Sequence, residues 1–205
     1  MIVNGNGEKA VNNLGQVAFI PTQIMNILIE DQSKEANDFW KLLCLSREDC
    51  LDVEDLTEDE KIAAIWQGDS LENNYHVFYK PLIGSALDSA SAQTQMRLYR
   101  TTTQPNSNYE AIINFEIDLI TNEKESMVRC EGYYVERTDL MESLLLSILN
   151  GRDLGLGTGT LSFDKNLSRS CGSALGINNS KTFYGRSLTL GLRFMSAETD
   201  INVCG

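Results

Sequence analysis

Two carboxylates, Glu116 and Asp118, stand two residues apart in "AIINFEIDLIT". In an extended strand that spacing puts both on one face, about 7 Å apart. Paired carboxylates can serve glycoside hydrolysis or hold a divalent cation. A solvated sheet face carries the same pattern, and the regular alternation around the pair favours that plainer reading. A second candidate is "NGRDLGLGTGTLSFD", residues 150–164, with glycines at 151, 155, 157 and 159. Glycine-rich runs can cradle phosphates, but a P-loop needs GxxxxGK[ST] between a strand and a following helix. Here a helical pattern precedes the glycines and a strand pattern follows, and Lys165 lies beyond that strand. The run therefore meets the C-terminal end of a helix, whose dipole favours cations over phosphates. A connection needing positive φ at several glycines accounts for it.

The remaining chemistry is sparse. His76 is the one histidine, so a serine-hydrolase reading has a single possible base. Its best nucleophile match, "GRSLT" at 185–189, lacks the second glycine of a nucleophile elbow and sits inside a strand pattern. Five cysteines, Cys44, Cys50, Cys130, Cys171 and Cys204, form no CxxC pair. They read as free, mostly buried thiols of a reducing compartment. The acids at 48–60 lack EF-hand spacing. No catalytic residue, metal ligand or cofactor is expected.

The elements that position these residues follow from pattern and caps. A helix can start at Pro21, with Ile24, Ile27 and Leu28 as its stripe. Ser33 caps a second, which buries Phe39, Trp40 and Leu43. Thr57 and Glu60 give a third the capping-box pattern, with Ile62, Ile65 and Trp66 inward and Gly68 as its stop. "NYHVFYKPL" and "QMRLYRTTT" are strand candidates. "AIINFEIDLIT" points Ile113, Phe115, Ile117 and Leu119 to one face. It is expected to turn at "NEKE" and return as "SMVRCEGYYVER", making one long hairpin. "TDLMESLLLSILNG" is the clearest helix, capped at Thr138 or Asp139, apolar through Leu140, Leu144, Leu145, Ile148 and Leu149, and stopped at Asn150-Gly151. "GTLSF" and "TFYGRSLTLGLRFMS" supply two later strands, separated by a long polar loop. The fold class is α+β, an antiparallel sheet packed by a central helix at about 139–149, with an N-terminal acidic helical segment. Residues 1–19 are an arm, 20–70 the acidic helical segment, 71–196 the sheet and helix core, and 197–205 a tail.

Of 205 residues, 42% are hydrophobic and 22% charged, which supports a packed core. No apolar stretch approaches the roughly 20 residues of a membrane helix, and the N-terminus lacks a signal-peptide pattern. A soluble protein of the cytoplasm is expected. The net charge is −12. Residues 30–60 hold 12 acids and three bases, whereas the rest of the chain holds 17 acids and 14 bases. Tight sequence-independent DNA binding needs clustered Lys and Arg, so this chain should repel DNA. Arg152, Lys165, Arg169, Lys181 and Arg186 gather in the C-terminal third. Basic loops of one copy could meet acidic helices of the next, as a head-to-tail ring requires.

The element order, a helical part, strands, a long alternating hairpin, "RTDLMESLLLSILNG", a glycine-bearing connection and two more strands, resembles the tail-terminator and neck-connector proteins of tailed bacteriophages. The style of the chain is similar to connector ring proteins of the crAss-like phages. The resemblance covers roughly residues 75–194 and leaves 30–68 as an insertion or docking extension. It implies small α+β subunits closed into rings on the portal axis, with no catalytic signature. The expected function is a structural virion protein of the head-to-tail connector, not an enzyme, that seals or extends the DNA channel and joins capsid to tail. Its expected partners are other copies in a ring, twelvefold favoured and sixfold next, with portal or adjacent connector and tail ring proteins. DNA passes nearby without specific binding, and no membrane is involved. The expected location is the virion neck, after assembly in the host cytoplasm. Arg152, Asp153, Lys165, Arg169, Lys181 and Arg186 are the candidate subunit-interface residues. The alternatives are a nucleotide, small-ligand or metal-dependent enzyme or binding module, and a tail-fibre or baseplate adaptor.

Overall fold

The structure, a computed structural model, describes residues 18–68, 75–80, 94–105, 110–154, 160–163, 173–174 and 183–195. The arm, the tail, and most of the glycine run and of the polar loop before the last strand lie outside them. Helices α1 (Ile20–Glu30), α2 (Lys34–Cys44) and α3 (Glu58–Ala63) come first. Strands β1 (Val77–Phe78), β2 (Thr94–Pro105), β3 (Glu110–Asn122), β4 (Met127–Cys130) and β5 (Tyr133–Glu136) follow. Then come α4 (Arg137–Leu149), β6 (Leu161–Ser162), β7 (Ser173–Ala174) and β8 (Phe183–Met195). The α+β class expected from the sequence is the one observed, with the main sheet mostly antiparallel. No helix among the described residues is long and apolar enough to cross a membrane.

Helix α1 starts with a proline in its first turn and no side-chain cap, while α2 and α3 start where side chains satisfy their first N–H groups. Ser33 Oγ accepts from the Ala36 N–H at 3.2 Å, and Thr57 and Glu60 form a complete capping box. Phe39, Trp40 and Leu43 of α2 are fully buried, and the Trp40 indole donates to the Leu28 carbonyl of α1 at 2.8 Å. The short α3 departs from its expected face. Lys61 is buried, while Ile62 is 44% exposed. The inward stripe runs through 61, 64 and 65 because polar acceptors wait there: Lys61 Nζ reaches Asn37 Oδ1 at 3.0 Å and the Ile29 carbonyl at 3.4 Å. The methylene stem of lysine fills apolar space while its ammonium finds oxygen.

β3 is the spine of the main sheet, flanked by β2 and β8 in antiparallel register. β1 runs parallel to β2, while β6 and β7 share the far edge of β8. The long hairpin expected between "AIINFEIDLIT" and "SMVRCEGYYVER" does not form. The "NEKE" segment becomes a 3-10 turn at Glu123–Glu125, and β4 pairs with β5 as a separate two-stranded sheet. The reason is the Glu131-Gly132 turn, with φ of 50° and 87°. Positive φ at both central residues matches hairpin twist, so β4 closes on its near neighbour. Thirteen-residue β3 then finds its full-length partner in β8.

Ile113, Phe115, Ile117 and Leu119 of β3 point into one core with Leu98 of β2 and Leu188, Leu190 and Leu192 of β8. Helices α1, α2 and α4 belong to the same apolar cluster. Residues 30–68 are thus integral to this core rather than an appended extension. α4 begins two residues before the expected 139, because Glu136 is its cap and accepts from the Asp139 N–H at 2.8 Å. It ends where expected, at Asn150-Gly151, and Gly151 takes a φ of 78°. The Gly151 N–H then donates to the Leu161 carbonyl at 2.7 Å, tying the helix end to β6.

Candidate functional site

The second face of the sheet was expected to be solvated; it is polar, exposed at Thr102, Gln104 and Arg193 and buried around Asp118. Arg97, Asn114, Asp118 and Ser187 are all under a tenth exposed. The register explains how they meet: Asp118 faces Arg97 on one side and Ser187 on the other, and Glu116 faces Tyr99 and Thr189. Tyr99 Oη donates to Asp118 Oδ2 at 3.0 Å. Ser187 Oγ lies 2.9 Å from Asp118 Oδ1 and in closer contact with Glu116 Oε1. The two carboxyl groups picked out by their spacing therefore share one hydroxyl.

Counting protons constrains their chemistry. Three O···O hydrogen bonds connect these four side chains, yet Tyr99 and Ser187 bring only two hydroxyl hydrogens. The Ser187 hydroxyl can donate to only one of the two carboxylates at a time, so protonated Asp118 would complete the set. Burial pushes the Asp118 carboxyl up from the ordinary value of 3.8, against the opposing effect of its bonds to Ser187 and Tyr99. Burial also raises the Tyr99 phenol, followed by the neighbouring Asp118 charge. Desolvation lowers the Arg97 guanidinium, while Asp118 opposes that change. The arrangement can hold and share a proton. Among the described residues, no group of three or more His, Cys, Asp or Glu side chains could hold a metal ion.

A raised folded-state pKa means that the folded chain binds this proton more tightly than the unfolded chain. The stability it contributes is present at low pH and lost as pH rises from about 4 through the raised folded pKa. Asp118→Asn keeps a donor toward Ser187 and an acceptor toward Tyr99 without the titration. Thermal melts of both proteins between about pH 4 and pH 8 should show the variant gaining on the wild type as pH rises. A gap independent of pH would contradict the raised Asp118 pKa.

The other chemical candidates lie apart from this network. His76 is buried, and its Nδ1 lies 2.9 Å from the Thr94 carbonyl. Burial lowers its pKa, offset in part by bonds to the Thr94 and Leu43 backbones. The serine of "GRSLT" is Ser187, and its hydroxyl bonds to carboxylates. Cys44, Cys50 and Cys130 are free thiols, and burial pushes Cys44 up to about 12. Such a thiol is a poor nucleophile near neutral pH.

Of the candidate interface residues, Arg152 and Asp153 are exposed at the base of the glycine run, where Asp153 bridges to Thr160. The Ser33 backbone N–H holds the Asp31 carboxyl below the usual range, with a smaller contribution from the Arg152 charge. The Arg152 charge is thus felt by the acidic segment of its own chain. Arg186 contacts Asp139 and lies 3.6 Å from Glu142, both on α4, so its charge fastens helix to sheet. Lys165, Arg169 and Lys181 lie outside the described residues, as do Gly155, Gly157 and Gly159. In the acidic segment, Asp38, Asp49, Asp52 and Asp55 are paired with Lys or Arg of the same chain. Glu30, Glu35, Glu48, Glu54, Glu58 and Asp59 are exposed.

Sequence reasoning missed one surface. Tyr133 and Tyr134 are 75% and 59% exposed, and Met127 of the paired strand is also exposed. Adjacent strand residues point to opposite faces, so the β4–β5 hairpin meets solvent on both faces at its tip. The adjacent tyrosines beside Glu131-Gly132 were the available signal, since one strand cannot bury both on the same side.

The fold and these surfaces belong to a phage-associated protein. The chain is a member of the YomW family, a phage-derived family of the SPbeta type, whose model matches residues 36–191. No curated protein and no solved structure matches it.

Proposed function

We propose that this phage protein is a structural virion subunit, one of a ring in the head-to-tail connector that seals or extends the DNA channel and joins capsid to tail. Membership of a phage-derived family supports the phage part of this reading, and the element order described above suggests the connector part. The charge distribution adds to it, because exposed acids of the helical segment and the exposed Arg152 after α4 are carried by helices that share one apolar core. In a ring, twelvefold favoured and sixfold next, acidic surfaces facing the channel would give DNA no binding minimum. The neighbours would be further copies and portal or adjacent connector and tail ring proteins, in the virion neck, after assembly in the host cytoplasm. The role is mechanical and uses no cofactor. Sedimentation of the full chain, alone and with portal protein, tests it. A closed oligomer is expected, and a monomer under every condition would overturn it. Arg152→Ala should impair assembly or docking and leave the melting temperature of the isolated subunit within about 2 °C, as for an exposed charge.

The Tyr99–Asp118–Ser187–Glu116 network favours a second reading, a ligand-binding module. A ligand at 100 times its dissociation constant should stabilise the chain by about 2.7 kcal/mol. Absence of any shift with nucleotides and divalent cations would set that reading aside.

A further inference from the structure

We infer that the cleft between α1 and α3 is a binding site for an arginine side chain presented by a neighbouring protein chain. The cavity measures about 350 Å³. Among the described residues, Ile29, Ile62, Ile65 and Tyr79 give it apolar walls, and the exposed Glu30 and Glu58 also line it. Ile62 and Tyr79 are two of the large hydrophobic side chains left exposed on the described surface, and both line this one cleft. Ile62 is also the residue whose helical spacing pointed inward and whose place in the core Lys61 took. Neither Glu30 nor Glu58 forms a salt bridge with another described residue, whereas Asp38, Asp49, Asp52 and Asp55 of the same segment do.

These features select a ligand class. Two carboxylates, on a chain of net charge −12, reject an anion. Apolar walls suit a methylene stem, and a lining that includes two glutamates and a tyrosine suits a planar guanidinium, which can pair with a carboxylate and stack on a ring. An ammonium is compact and strongly hydrated, and fits such walls less well. The source of the arginine, a neighbour in an assembly, rests on the proposed function. The binding itself does not.

The test uses the full-length chain and two capped amino acids, N-acetyl-arginine amide and its neutral isostere N-acetyl-citrulline amide. Saturation-transfer NMR observes the small molecule whatever the assembly state of the protein. The expected result is saturable binding of the arginine probe, at least tenfold weaker binding of citrulline, and about tenfold weaker arginine binding by Glu30→Gln and by Glu58→Gln, the factor for a lost charge-assisted hydrogen bond. Both glutamates are exposed, so the variants should melt with the wild type. Equal binding of the two probes, wild-type binding by both variants, or no saturable binding would each overturn the inference. If the arginine probe binds as expected but the chain forms no oligomer, the site stands and the ring reading falls.

Discussion

Arg137→Ala should cost about 4 kcal/mol or more, the largest loss expected from any single side chain in this fold. Arg137 is fully buried at the first turn of α4. Its guanidinium donates to four backbone carbonyls: Leu42 at 2.5 Å, Glu125 at 2.7 Å, Leu45 at 2.9 Å and Arg47 at 3.1 Å. Leu42 and Leu45 lie at the C-terminal end of α2, where carbonyls lack helical partners and the dipole favours a cation. One side chain thus caps α2 and joins it to the 3-10 turn before β4 and to α4. Burial lowers the guanidinium pKa, but arginine starts high enough to remain charged near neutral pH. Removing it orphans several buried acceptors together. Arg137→Met, which keeps the apolar stem, should rescue little, and Arg137→Lys only part, because an ammonium cannot reproduce the planar fork. At about 2–4 °C per kcal/mol for a chain of this size, the alanine variant should melt roughly 8–16 °C lower. A loss below about 1 kcal/mol in a urea titration would mean that water satisfies those carbonyls.

Gly185→Ala is expected to cost about 3 kcal/mol or more, through contact with backbone that cannot move aside. A Cβ at Gly185 would lie 2.0 Å from the Leu119 carbonyl oxygen, 2.9 Å from its carbon and 3.0 Å from the Ile120 Cα. Gly185 faces Ile120 in the β3–β8 register, so relief requires parting the two longest strands of the sheet. The same separation would disturb Ser187, two residues on, and with it the shared hydroxyl between Glu116 and Asp118. If Gly185→Ala melts with the wild type, the close approach of β3 and β8 at this point is contradicted.

The parts legible in the sequence were those governed by local chemistry. Ser33, Thr57 and Asn150-Gly151 mark helix ends because caps are short-range, and the alternation in β3 and β8 marked the core face because side-chain period follows backbone pleat. Pairing was not legible. β3 pairs with β8, some seventy residues away, rather than with the nearby segment, where the Glu131-Gly132 turn closes β4 on β5. Lys61 and Arg137 were unreadable as core residues because what buries them is a set of backbone acceptors contributed by other elements. Glu116 and Asp118 were visible as a pair from their spacing. Their partners Tyr99 and Ser187 were not, because they come from two other strands. The exposure of Ile62 was hidden for a related reason: helical spacing names the apolar residues, and the facing element decides which of them turn inward.

Electron micrographs of the assembled phage particle, with this chain located in the density, test the central claim most directly. A closed ring of this subunit in the neck, between capsid and tail, with twelve copies or else six, is the result predicted. Density for the chain in a threefold fibre, or a mature particle that does not contain it, would contradict the account.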